Sequence, residues 1–186
     1  MEFTKRAHLA AREQFYALMF PGRPFEFVDT VGTVRDLEYA IDCQMAVSVD
    51  GLRAPLNFAI QERWREPEAM QYGDITITEW NLASDGPSEL HKLGAHLFVY
   101  GFYDKQADRI LAGVAVDVLS VLRALAVGGL TYRREKRVDQ TFLGFGMRDL
   151  QRLGAVVFQL DNRRPVVVHA DEAWPDVVRP PDWKAA

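Results

Sequence analysis

Hydrophobic and polar residues alternate strictly from Tyr39 to Val49. Tyr39, Ile41, Cys43, Met45, Val47 and Val49 fall on one side, and Ala40, Asp42, Gln44, Ala46 and Ser48 on the other. A period of two predicts a strand with one buried face. Asp50-Gly51 is a favourable turn pair, and Leu56 to Arg65 predicts the returning strand of a hairpin. That strand sets Phe58, Ile60, Glu62 and Trp64 on one side and Asn57, Ala59, Gln61, Arg63 and Arg65 on the other. With both apolar faces pointing the same way, Asp42 shares a face with Gln61, Arg63 and Arg65.

Around this hairpin the pattern predicts further elements. Thr4 to Phe20 is a first helix with Thr4 as its cap and Leu9, Phe15, Tyr16 and Met19 along one side, stopped by Pro21-Gly22-Arg23-Pro24. Phe25 to Val28 is a short strand, followed by a polar loop around Gly32, and Asp74 to Trp80 is a third strand after the hairpin. Asp85 to Leu93 opens a short helix with Pro87 at its start, and Ala95 to Tyr103 is a buried strand by its aromatic and β-branched content. Ile110 to Val127 reads either as one long helix or as a strand through Val116 followed by a helix, ended by Gly128-Gly129. Arg148 to Leu153 reads as helix, Ala155 to Leu160 and Val166 to His169 as strands, and a Pro-rich tail runs from Pro175. The order predicts an α/β fold, a central mixed β-sheet flanked by helices in a single domain spanning residues 1–186.

Composition narrows the class. At 186 residues, 48% hydrophobic and 26% charged, the chain has the make-up of a soluble globular protein, not of a disordered or collagenous one. The net charge of −4 excludes a wholesale basic nucleic-acid coat and leaves room for a local basic surface. Cys43 has no second cysteine to pair with, which points to a reducing, cytoplasmic setting. No apolar run approaches the ~20 residues of a membrane span, and the start lacks the layout of a signal peptide.

Asp42 is an unusual residue inside a strand pattern, because Asp is a poor strand former. Ile41-Asp42 followed by Ile60-Gln61-Glu62-Arg63-Trp64-Arg65 resembles the core of the PD-(D/E)xK nuclease superfamily, in its restriction-endonuclease-like and Holliday-junction-resolvase-like branches. The resemblance covers roughly the first hundred residues. It implies a restriction-endonuclease-like fold in which a helix precedes a β-meander, and a metal-dependent phosphodiesterase acting on nucleic acid, most readily DNA. Asp42 and Gln61 would then hold Mg²⁺ or Mn²⁺, with Glu62 and Arg63 completing the catalytic set and Glu13 a helix acid beside it. Gln61 stands where the family usually has Glu, and Arg63 where it has Lys. Gln offers a metal only a neutral carbonyl oxygen, and Arg stays protonated, so it can stabilise phosphate charge but makes a poor general base. Glu62 would join Asp42 only through a bulge or twist, and otherwise reads as a rim residue.

Thr131 to Arg137 is the densest basic run. Together with Arg65, its Arg133, Arg134, Lys136 and Arg137 form a candidate phosphate-contacting surface, with Tyr132 available for stacking; the plainer reading is a solvated loop. His8, His91, His96 and His169 show no zinc-type spacing, and no phosphate-binding glycine loop or nucleophile elbow occurs. The rival to the enzyme is an inactive pseudo-nuclease that serves as a binding or assembly module, within a phage or mobile-element complex or as an oligomer. A third reading is an unrelated α/β interaction domain.

Overall fold

The computed structural model describes residues 2–161 and 164–166. The chain forms a mixed α/β fold. A first helical segment comprises α1 (Glu2–Ala11), a π turn (Arg12–Tyr16) and α2 (Ala17–Met19). The meander of β1 (Phe25–Asp29), β2 (Cys43–Val47) and β3 (Leu56–Arg65) follows, with the short α3 (Val34–Tyr39) between its first two strands. A 3-10 turn (Pro67–Tyr72), β4 (Asp74–Asn81), β5 (Gly86–Pro87) and α4 (Glu89–Lys92) lead to β6 (Leu97–Asp104) and β7 (Arg109–Asp117). Then come α5 (Val118–Ala126), β8 (Arg133–Lys136), β9 (Gln140–Gly146), α6 (Met147–Arg152), β10 (Val156–Asp161) and β11 (Arg164–Val166).

Two sheets result. The large one runs β1-β2-β3-β6-β7-β10-β11, and the small one β5-β4-β9-β8. Every pairing is antiparallel except β3 with β6, so the connection between those two parallel strands carries half of the small sheet. The large sheet has a core on each side. Against α1 and the π turn it packs Cys43, Met45, Val47, Ile60, Trp64 and Val99. On the opposite side Phe98, Tyr100, Val114 and Val116 meet Ile75, Ile77, Leu143 and Phe145 of the small sheet, together with α5 and α6.

The hairpin forms as its pattern predicts, with Cys43 opposite Ile60 and Val47 opposite Leu56. The first strand is shorter than its alternation. Residues 34–39 wind into α3, and Ala40 ends that helix in the left-handed region at φ 47°. Tyr39 is therefore exposed, and Ile41 enters the core opposite to that of Cys43, so the alternation is broken just before Asp42. Other corrections have simple causes. Thr4 lies inside α1 and does not cap it, and Leu9 is exposed, because the face of α1 that meets the sheet is Ala7, Ala10 and Ala11. Residues 74–81 form a strand, but of the small sheet, paired to β9. Pro87 pairs in β5 and does not start a helix. Residues 110–127 take the strand-then-helix alternative, with Asp117 capping α5 through Ser120 N–H. Most of the expected strand at Val166 to His169, and the tail from Pro175, lie outside the described residues.

Trp64 needs space that only glycine leaves. Gly101 of β6 lies opposite Trp64 in one pairing and Gly113 in the other. A Cβ on Gly101 would sit 2.2 Å from Trp64 Cζ3 and 2.7 Å from the Ala112 carbonyl oxygen. A side chain could yield, but the carbonyl is part of the sheet. Gly101→Ala should therefore destabilise the protein by about 3 kcal/mol, the upper part of the usual overpacking range. Urea unfolding of parent and variant checks this, and a loss below about 1 kcal/mol would remove the constraint.

Candidate functional site

The site grows out of one irregularity in the sheet. β2 stays with β3 only as far as the Cys43–Ile60 pair, whereas β3 pairs with β6 from Ile60 to Arg65. Beyond Ile60, β3 thus has an open edge. Asp42 fills the gap: its N–H donates to the Ile60 carbonyl (2.9 Å), its carbonyl accepts from Thr30 N–H (2.9 Å), and its Oδ2 accepts from Glu62 N–H at 2.7 Å. The carboxylate takes the place of the missing strand.

Asp42 opens into a cleft of about 330 Å³ lined in part by His8, Asp36, Gln61, Glu62, Glu89 and Lys92. Asp42 and Gln61 both line it. Glu62 lines it too, with no bulge in its pairing to β6. It is not a rim residue. Its carboxylate is buried, accepts from Tyr16 Oη at 2.5 Å, and faces His8 Nδ1 at 2.9 Å. The π turn helps to place Tyr16 there while Phe15 packs edge-on against Trp64, and such turns recur at functional sites. Gln61 is also buried, and its Oε1 has no hydrogen-bond partner among the described residues.

Burial is the main force on the charges here. It pushes the Asp42 carboxyl up to about 7, reinforced by the charges of Glu62 and Asp36 and opposed by the Glu62 N–H and His8. For His8, burial acts to lower the pKa, but the hydrogen bond and charge of Glu62, with Asp42 and Asp29 farther off, leave it above its ordinary value. The Tyr16 hydroxyl is raised well above its ordinary value by burial and by Glu62.

The remaining candidates lie elsewhere. Arg63 turns toward the small sheet, donating to Thr78 Oγ1 at 2.7 Å and pairing with Glu89, and it does not line the cleft. Glu13 is exposed on the first helical segment and does not line it either. Arg133 to Lys136 form an edge strand, not a loop. There Arg133 pairs with Asp74 and Glu135 (2.8 Å each), Arg134 pairs with Glu79 (2.6 Å), and Lys136 is exposed. Arg65, Arg133 and Arg137 line a second cleft of about 190 Å³ with Asp74, Glu135, Tyr72, Tyr100 and Phe142. Arg137 stacks over the Phe142 ring at 5.6 Å, and neither it nor Arg65 forms an ion pair among the described residues. His8, Tyr16 and Glu89 escaped the sequence reading. His8 had no metal-type spacing to mark it, and Tyr16 was absorbed into an apolar stripe.

No family model matches this chain, and no curated protein matches it. Among solved structures it is similar to a nuclease from a fusselovirus, at 12% identity and a TM-score of 0.34 over 80% of this chain and 86% of that one. No helix among the described residues is long and apolar enough to cross a membrane.

The buried Asp42 charge has a measurable cost. A carboxyl whose pKa is about 7 when folded, and near 4 when unfolded, weakens the fold progressively as pH rises between those values. Asp42→Asn keeps a carbonyl acceptor for Glu62 N–H and removes the charge. At about pH 8 the variant should be more stable than the parent by on the order of 2 kcal/mol, with the gain fading to nothing near pH 4. Denaturant unfolding across that range is the check, and a less stable Asn variant at the alkaline end would contradict this account.

Proposed function

We propose that this protein is a metal-dependent phosphodiesterase of PD-(D/E)xK type acting on nucleic acid, with Asp42 and Gln61 as its metal ligands. The observation that carries the reading is the buried Gln61 Oε1, without a hydrogen-bond partner among the described residues, in the cleft that Asp42 also lines. Leaving such an oxygen unpaired costs about 1–3 kcal/mol, a cost that a ligand would remove. Among the described residues no group of three or more His, Cys, Asp and Glu side chains is placed to hold a metal. The donor set suits Mg²⁺ or Mn²⁺, which keep several waters and take one or two carboxylates plus substrate phosphate oxygens. Such an ion, when bound, polarises a phosphoryl oxygen. Glu62 adds a second negative charge to the cleft, and Arg63 holds Glu89 at its wall.

The pseudo-nuclease remains the second reading because Arg63 is engaged by Glu89 and Thr78, away from the cleft. Mn²⁺ titrations and cleavage assays on branched, single-stranded and duplex DNA and on RNA separate the two. Gln61→Glu should tighten Mn²⁺ about tenfold, as a carboxylate replaces a neutral amide, and should raise cleavage. Asp42→Asn should abolish both. If parent and variants neither bind metal nor cut any substrate, the binding module is the better account.

For nucleic acid itself, the cations without an ion-pair partner among the described residues should matter most. Arg65→Ala and Arg137→Ala should each weaken DNA binding across sequences and reduce the salt dependence by about one ion. Arg134→Ala should do less, because Glu79 already balances that charge. Affinities measured over a salt series decide this, and equal effects from all three would detach binding from the second cleft.

A further inference from the structure

The nuclease reading leaves the attacking water without a base. Arg63 stays protonated and is held by Glu89 and Thr78. From the geometry of the first helix we propose that His8 is the proton acceptor for that water, an assignment that rests on the phosphodiesterase reading of the cleft.

His8 is held as a base should be. A carboxylate at 2.9 Å from Nδ1 fixes the tautomer that carries its proton there, leaving the lone pair on Nε2. Glu62 is itself oriented by the Tyr16 hydroxyl on its other oxygen, so the ring is positioned through two successive contacts. No partner meets Nε2 among the described residues. His8 also lines two adjoining cavities, the cleft of Asp42 and Gln61, and a neighbouring one walled by Lys5, Arg12 and Asp29. The groups facing it are Glu62 from β3, Asp42 ahead of β2, Asp29 at the end of β1, Asp36 of α3 and Glu89 and Lys92 of α4 across the cleft, and Lys5, Arg12 and Tyr16 of its own helical segment. The acids outweigh burial and favour the imidazolium, which stabilises the proton once it has been transferred.

In the step, the water oxygen forms a bond to phosphorus and its proton passes to His8 Nε2. The bond from phosphorus to the leaving sugar oxygen breaks, and that oxygen takes a proton from solvent. His8 then returns its proton to bulk water, and no oxidant or reductant is involved.

The test uses the full chain, with single-turnover cleavage in Mn²⁺ followed across neutral pH for the parent, His8→Ala and His8→Gln. The parent rate should rise with pH through the His8 titration. His8→Ala should lose about 10²–10⁴-fold, the usual worth of a general base, and recover part of it with added imidazole. His8→Gln, which keeps a polar side chain on Glu62, should be as slow as His8→Ala. Nitrogen NMR of the metal-free parent gives an independent readout: His8 should be protonated on Nδ1 when neutral, and Glu62→Gln should lower its titration midpoint. A parent that cuts while His8→Ala keeps its rate and pH profile overturns the assignment and spares the nuclease. Failure of imidazole to rescue a folded His8→Ala, or an Nε2-protonated neutral ring, overturns it as well. A parent that cuts nothing overturns the nuclease reading, and the role of His8 falls with it.

Discussion

The exchange of partners along β3 is the constraint on which the site depends. A strand buried between neighbours must satisfy its N–H groups on both edges. From Leu56 to Ile60 one edge is satisfied by β2; beyond Ile60 β2 is gone, while β6 holds the other edge through Arg65. The Glu62 N–H would be a buried orphan, and the Asp42 carboxylate meets it. An acid is thereby kept in a place where burial works against its charge. A neutral acceptor would do the structural job at lower cost, so the hydrogen bond to Glu62 does not by itself call for a carboxylate here.

Helix packing and site chemistry are joined through the same few residues. Ala7, Ala10 and Ala11 let α1 settle closely on the large sheet, which brings His8 and Tyr16 to Glu62. Glu62 belongs to the face of β3 that carries Ile60 and Trp64, so its charge is buried in an otherwise apolar layer. Burying an isolated carboxylate there would be prohibitive, and two donors from the first helical segment compensate for the lost water. A change in the seating of the first helical segment would therefore be felt in the cleft, even where no cleft residue is altered.

The sequence pattern made the two strands of the hairpin legible, because alternation on a half-buried sheet marks which residues face inward, but their pairing came only from the structure. It also brought Asp42 and Gln61 to one place. It failed where local geometry overrides periodicity. A left-handed Ala40 and a helical turn before it shortened the first strand. The second sheet was invisible because period-two patterns reveal strands, not which sheet they join. Glu62 was assigned away from Asp42 by the rule that neighbours on a strand face opposite ways. That rule governs side chains, whereas Asp42 reaches the backbone N–H of Glu62, which lies in the plane of the sheet. At an open edge, a side chain arriving from outside can meet residues of both faces, and Asp42 does so.

The charge pattern makes the same point in reverse. Arg133 and Arg134 belong to the densest cationic run in the sequence, but across the small sheet they meet Asp74 and Glu79, so much of their charge is spent within the fold. Arg65 has no such partner among the described residues, and it belongs to β3 itself. Gln61, Arg63 and Arg65 project from one face of that strand at intervals of roughly 7 Å. The first lines the cleft with Asp42, the second is balanced by Glu89, and the third lines the second cleft with Arg137. One strand therefore runs from an acidic cleft to one where Arg65 and Arg137 stand without an ion-pair partner among the described residues. In the proposed nuclease, a polyanion with its backbone at Arg65 would have a phosphate within reach of the acidic end only if a cation stood there to receive it, so the proposed metal and the second cleft would be parts of a single requirement.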